Sequence, residues 1–459
     1  MLHEKALLSG EPNIRIVVVP RTGTGVQRLA QYYSQVIPAL MTPLTATEMQ
    51  TGVYTPPPQP RIAFSGTLDQ AQDFFQRQQL YMCGIPMTQW TDGSPVIIPT
   101  EQKVAWMLTG TSHAPTEIIG PITMANKIAT KATPMQPMDW TATVEKVAVN
   151  AVMAGCQPEH LPIVLAEAVS GVGTGTTTFW SQWQVVSGPI VEQVGMNYDI
   201  GVWDGQNVAN MCIGRAYELM AINLGGAQVG TNRMNSIGSP FNHGSCFAEN
   251  GPNLPPGWIG MNQDFGYQAT DSVIGAFNTD QGVVGGNFAP SAYRALQGSG
   301  TGGMADRLGV SGPPPAGTRY NWLEYLVPGL WANNGGYVNI LMVPEMAMDL
   351  VLAGFPTKAS VSQWLYEQSF VPMSQLKKYG WYNFVYNGGA AIEPTSGKPY
   401  ASLPDTYMVS TEGPAATNGN RNLIIVVGGA EEVAEELMSQ WSLKQPGITG
   451  TVVQIDPWK

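Results

Sequence analysis

The stretch FNHGSCFAENGPN, residues 241–253, sets His243, Cys246 and Glu249 at three-residue intervals, with Asn250 next in line and glycines and a proline around them. The chain holds only four cysteines and four histidines in 459 residues, so a thiol and an imidazole this close single out a candidate site. An imidazole beside a thiol lowers the thiol pKa and makes a nucleophile. In that reading Cys246 attacks, His243 and Glu249 handle protons, and Asn250 supplies an orienting hydrogen bond to the substrate. The same three side chains are borderline donors for zinc or iron. Nothing in the chain repeats their spacing, so the sequence itself names no metal and no other cofactor. The structural alternative is a polar turn around a buried, inert thiol.

A second candidate lies in TATVEKVAVNAVMAGCQPEHLPIVLAEAVSG, residues 141–171. Val144, Val147, Ala148, Ala151 and Val152 mark one helical stripe, and Val149 and Met153 lie off it. A helix apolar most of the way round is expected to be central. Gly155 is a natural stop and Pro158 a natural start, since proline's missing N–H costs nothing in a first turn. Cys156, Glu159 and His160 therefore fall at a tight corner between buried helices. Cys156 is a candidate nucleophile and Glu159 an acid–base group, against a structural role for Glu159 at the helix dipole. A third helix is expected in NVANMCIGRAYELMAINLGG, residues 207–226. Its Arg215 is a candidate anchor for an anionic substrate, or the internal ion-pair partner of Glu218. Lys146 is a candidate acid, base or point charge, and Asn150 and Asn223 are candidate substrate-orienting groups. Charges on such apolar helices must be paired, so Glu145, Lys146, Glu159, Arg215 and Glu249 are expected to converge on one polar cluster.

These segments sit in a chain with few charges. Charged residues make up 12%, about half of the roughly 25% usual in soluble domains, which implies extensive burial and homo-oligomeric contacts. Net charge is 22 − 33 = −11 without a basic cluster, which argues against nucleic acid. No apolar run reaches membrane-spanning length, and MLHEKALLSGEPN has no signal core, so a cytoplasmic protein that does not enter membranes is expected. Cys83, Cys156, Cys212 and Cys246 are far apart and read as thiols rather than a disulfide framework.

Residues 14–40 read as strand, turn and helix, though the turn lacks a full dinucleotide fingerprint. Residues 91–110 read as a turn at Asp92-Gly93, a short strand and a helix capped by Thr100. Residues 337–355 and 422–441 each read as a strand followed by a helix, with Glu431 and Glu432 in the first turn of the latter. The expected fold is α/β and multi-layered, with a buried helical central region and strand–helix units in the N- and C-terminal parts. The expected divisions are an N-terminal α/β region at 1–90, a central domain carrying the site at 91–296, a Gly/Pro-rich loop or linker at 297–320, and a C-terminal α/β region at 321–459.

Four stretches, TDGSPVIIPTEQKVAWMLTGTS, ATVEKVAVNAVMAGCQPEHLPIVLAEAV, ANMCIGRAYELMAINLGGA and CFAEN, run in the order seen in a known family. Together they resemble the large domain of the poorly characterised proteins associated with the UGSC motif, over about residues 85–290. Those proteins often carry a small domain with a selenocysteine- or cysteine-Gly-Ser-Cys signature and are described as thiol or selenoprotein oxidoreductases. This chain departs from the pattern: HGSC at 243–246 has a histidine where the first chalcogen would stand. MNYDIGVWDG at 196–205 lacks the histidine associated with that position, and CFAENGPN lacks the acidic pair that usually follows Glu249. The expectation is an enzyme acting on a small polar or anionic molecule by nucleophilic or redox thiol chemistry. The alternatives are a metal-assisted hydrolase or lyase using the same site, and a non-catalytic self-assembling subunit that docks a separate small redox protein.

Overall fold

The computed structural model describes residues 6, 10–17, 25–52, 61–80, 84–121, 141–170, 181–229, 233, 244, 246–279, 323, 327–332, 338–379, 392–393, 395–411, 422–429, 434–438 and 450–459. The fold is mixed α/β. Its principal helices begin with α1 (Gly25–Met41), α2 (Leu68–Gln76) and α3 (Glu101–Met107), and continue with α4 (Val144–Ala154) and α5 (Leu161–Ser170). Strand β1 (Ser181–Ser187) follows, then α6 (Val208–Asn223), β2 (Cys246–Ala248) and β3 (Val273–Thr279). The C-terminal part adds β4 (Val338–Met342), α7 (Pro344–Leu352), α8 (Lys358–Gln368), β5 (Ile424–Val426), β6 (Ala434–Met438) and β7 (Gly450–Gln454).

Two sheets stack between two helical layers. The first has the order β7-β3-β1-β2, antiparallel except for the parallel β1–β2 pair. Because strand side chains alternate between faces, Val186, Cys246, Ala248 and Ile274 join the core formed with α4, α5 and α6. Their neighbours Trp183, Val185, Phe247, Val273 and Phe277 face the other way, onto Leu341, Leu423, Ile425 and Val427. Those residues belong to the second sheet and its flanks, which has the order β5-β4-β6. Its far face, Ile340, Met342, Ile424 and Val426, packs on α7 and α8 through Met346, Leu350, Val361 and Leu365. Strand β7 comes from the last ten residues, so the C-terminus completes the sheet on which the central helices lie.

Local chemistry explains the central helices. Thr143 caps α4 by accepting the Lys146 N–H at 3.3 Å, and Asn207 caps α6 by accepting the Asn210 N–H at 2.9 Å. Helix α4 ends at Gly155, whose φ of 93° only glycine adopts readily. The Cys156 N–H then turns back to the Ala151 carbonyl at 3.0 Å. Thr100 caps α3 as its sequence suggests.

Three expected elements differ. Residues 14–17 are not a strand, and 18–24 lie outside the described residues. The stretch before Thr100 is extended but unpaired, because the Ile97 N–H bonds a single carbonyl, that of Met153 at the end of α4. Residues 434–438 form β6 rather than a helix, with Glu431 and Glu432 outside the described residues. AEELM has good helix formers, but all five residues pair antiparallel along β4, satisfying an edge that would otherwise stay open. The Gly/Pro-rich stretch 297–320 also lies outside the described residues.

Candidate functional site: a buried thiol–imidazole cluster

The corner between α4 and α5 meets α6 at its N-terminal half. Cys156 follows the Gly155 turn, and His160 closes the 3-10 turn Pro158–His160 that leads into α5. Cys212 comes from the second turn of α6. One ligand atom from each of Cys156, His160 and Cys212 lies within 4.8 Å of the other two. Cys212 Sγ is 3.2 Å from His160 Nδ1, and the Gln157 N–H donates to the same nitrogen at 3.1 Å. All three residues are buried, with 3% exposure for Cys156 and His160 and 5% for Cys212.

Two further groups sit in this layer. Glu167 of α5 is fully buried, and neither carboxyl oxygen has a hydrogen-bond partner among the described residues. Gln184 of β1 is fully buried with both amide atoms unpartnered among the described residues. It pairs across the sheet with Cys246 and alternates onto the helix-facing side with Val186. An unsatisfied buried polar group costs about 1–3 kcal/mol, so these two are costly positions in the central core.

The thiols differ in acidity. Cys212 is held down at about 6, chiefly by a hydrogen bond from Cys156 and then by His160, against burial that pushes it up. Burial first, and then Cys212, push Cys156 well above the usual thiol range. Burial drives Cys246 up as well, reinforced by Glu167 and Cys212, and it drives the Glu167 carboxyl up with Cys212 adding to it. Such an arrangement gives one thiolate and one thiol in contact. In reduced, chelator-treated protein, the thiolate ultraviolet absorbance of wild type minus Cys212→Ser is expected to titrate near pH 6. Because that value is depressed from the usual thiol value of about 8.5, Cys212 contributes stability above about 8.5 that is lost as pH falls through 6. A midpoint at the ordinary thiol value would contradict the contacts described here.

The structure distributes the sequence candidates differently. Cys246 and Glu249, three residues apart, face opposite sides of the first sheet and cannot serve one site. Cys246 points to the helices, whereas Glu249 accepts from Ser187 Oγ at 2.6 Å, the Met261 N–H at 2.7 Å and Lys358 Nζ at 3.1 Å. His243 lies outside the described residues. Arg215 does not pair with Glu218. It forms a bidentate pair with Asp92, with Nε–Oδ2 at 2.9 Å, while Glu218 pairs with Arg233. Lys146 and Glu159 are exposed rather than buried. Glu145 pairs with Arg61 at 2.6 Å. The expected convergence of these charges is overturned: Glu145, Arg215 and Glu249 each have their own partner, supplied by segments far off in sequence. Asn150 accepts from Asn223 Nδ2 at 2.8 Å and donates to the Lys146 carbonyl at 2.9 Å, tying α4 to α6. Asn250 Nδ2 donates to the Gly428 carbonyl at 2.8 Å, tying β2 to the second sheet.

Of the second candidate corner, Cys156 and His160 belong to the Cys156–His160–Cys212 cluster and the exposed Glu159 does not. Cys212, Glu167 and Gln184 were missed. Glu167 carried a signal: it is the lone acid in LPIVLAEAVS, and a charge on a wholly apolar helix demands a partner. No helix among the described residues is long and apolar enough to cross a membrane. Comparison of the chain with family models, curated proteins and solved structures finds no match.

Proposed function

We propose that the protein is a thiol-dependent enzyme acting on a small molecule, with Cys212 as the attacking thiolate and Cys156 as its partner thiol. The observation that carries this reading is the gathering of two free thiols and one imidazole within 4.8 Å, with Cys212 Sγ 3.2 Å from His160 Nδ1. The reaction that suits two thiols is exchange with a low-molecular-weight disulfide. The Cys212 thiolate attacks one sulfur, forming a mixed disulfide and releasing one thiolate, which takes up a proton. Cys156, losing its proton, then attacks Cys212 Sγ, forms the Cys156–Cys212 disulfide and releases the second small thiol. The protein pair is oxidised by two electrons and the small disulfide is reduced by two. The sulfurs must close from a separation of up to 4.8 Å to about 2.05 Å. Exposures of 3% and 5% favour a small disulfide over a protein-sized partner. Three free thiols suit a reducing compartment such as the cytoplasm.

The test uses reduced, metal-free protein and a small symmetric disulfide. Two equivalents of small thiol are expected per chain, with a Cys156–Cys212 disulfide in the peptide map. Cys156→Ser is expected to stop at a mixed disulfide on Cys212. Adduct formation by Cys212→Ser at the wild-type rate would remove Cys212 as the nucleophile.

A further inference from the structure

The most demanding groups in the central core are ones that thiol exchange does not use. Glu167 is fully buried on α5 with both carboxyl oxygens unpartnered among the described residues. A carboxylate in such surroundings needs a cation or must stay protonated. Its charge acts on the thiols of Cys156, Cys212 and Cys246. Cys156, His160 and Cys212 offer two sulfurs and an imidazole nitrogen within 4.8 Å of one another, and the Glu167 carboxyl stands outside that group. Bond lengths of about 2.3 Å to sulfur and about 2.0–2.1 Å to nitrogen place tetrahedral ligands roughly 3.5–4 Å apart. The three donors are therefore already near the spacing that one ion would impose.

We propose that the reduced Cys156–His160–Cys212 cluster binds one divalent ion of the zinc class through these three side chains, with the buried Glu167 carboxyl as an additional negative group that favours the cation. Two thiolates and an imidazole select a borderline-soft first-row ion over calcium or magnesium, which prefer oxygen. Three protein ligands, two thiolates and an imidazole, leave the fourth tetrahedral position to a small non-protein ligand. The ion would take the His160 Nδ1 lone pair in place of the Gln157 N–H, and would give the Glu167 carboxylate the countercharge it lacks. It would also join α6 to the α4–α5 corner through one centre. The site shares its thiols with the exchange reading but needs them only reduced. A bound ion would hold both sulfurs and block exchange, so oxidation of the pair and metal binding exclude each other.

Cobalt(II) is the probe, added to chelator-treated, fully reduced protein whose fold is checked by circular dichroism. One equivalent is expected to give thiolate-to-cobalt charge-transfer absorption and the intense visible bands of tetrahedral cobalt, and zinc is expected to abolish both. Cys156→Ser and Cys212→Ser are each expected to lower the charge-transfer intensity by about half, since each removes one of two thiolates. Cys83→Ser is expected to leave it unchanged. Glu167→Gln keeps a neutral side chain of the same shape and is expected to weaken cobalt binding tenfold or more. Absence of thiolate–cobalt bands in folded, reduced wild type would overturn the site, as would bands that persist undiminished in Cys212→Ser. Unchanged affinity in Glu167→Gln would overturn the charge role given to Glu167. Small-disulfide exchange is measured on the same metal-free sample. Exchange without cobalt binding sinks only the metal site, and cobalt binding without exchange sinks only the exchange reading.

Discussion

Replacing Lys358 by methionine is expected to destabilise the fold by about 3–5 kcal/mol, the range seen when one partner of a buried ion pair is removed. Lys358 opens α8 and sends its ammonium group between Glu249 Oε1 at 3.1 Å and Asp264 Oδ2 at 3.0 Å. The three side chains are 7%, 1% and 15% exposed. Burial pushes the Asp264 carboxyl up even though Lys358 pulls it down, and the two carboxylates hold the Lys358 ammonium charged against its own burial. Methionine keeps most of the apolar stem, so the loss isolates the charge. Among the described residues, Glu249 would be left with the Ser187 hydroxyl and the Met261 N–H. Denaturant unfolding of the single variant and of Lys358→Met/Glu249→Gln provides the measurement. The double variant is expected to recover part of the loss by removing the stranded carboxylate. A single-variant loss below about 1 kcal/mol would show that water reaches the triad and screens it.

Alanine at Gly244 is expected to cost about 2–5 kcal/mol, combining about 1–2 for a left-handed backbone with about 1–3 for overpacking. Gly244 has φ +80°, and a Cβ there would stand 2.0 Å from the Gly214 carbonyl oxygen and 2.8 Å from the Arg215 nitrogen. The approach is mutual, because a Cβ on Gly214 would meet the Cys246 nitrogen at 2.8 Å. Backbone-to-backbone contact of this kind has no flexible side chain to move aside. Helix α6 and the segment entering β2 would have to separate, carrying Cys212 away from Cys246. Gly251→Ala serves as the control, since that position has open space and no positive φ, and it is expected to stay within about 0.5 kcal/mol of wild type. Equal unfolding midpoints for the two variants would mean that the helix and strand tolerate separation. The glycine of HGSC, at the centre of the segment that looks most like chemistry, thus has a packing reason for being there.

The sequence by itself determined the helical centre. The stripe from Val144 to Val152, the Gly155 stop, the Pro158 start and the polar cap at Thr100 are local signals, and local hydrogen bonding and burial satisfy them in place. It also brought Cys156 and His160 to one corner, since four residues across a tight turn cannot travel far apart. Tertiary structure decided everything that depends on which segments meet. Cys212 reaches that corner because α4 and α6 pack together, tied by the Asn150–Asn223 bond, over a sequence separation that no spacing rule spans. Arg215 found Asp92 rather than Glu218, and Glu249 found Lys358, because distant segments supplied better-placed partners than the next helical turn did. Cys246 and Glu249 looked like one site on the line of the sequence. The pleat of a strand sends residues three apart to opposite faces, and in the folded chain they stand on either side of a sheet.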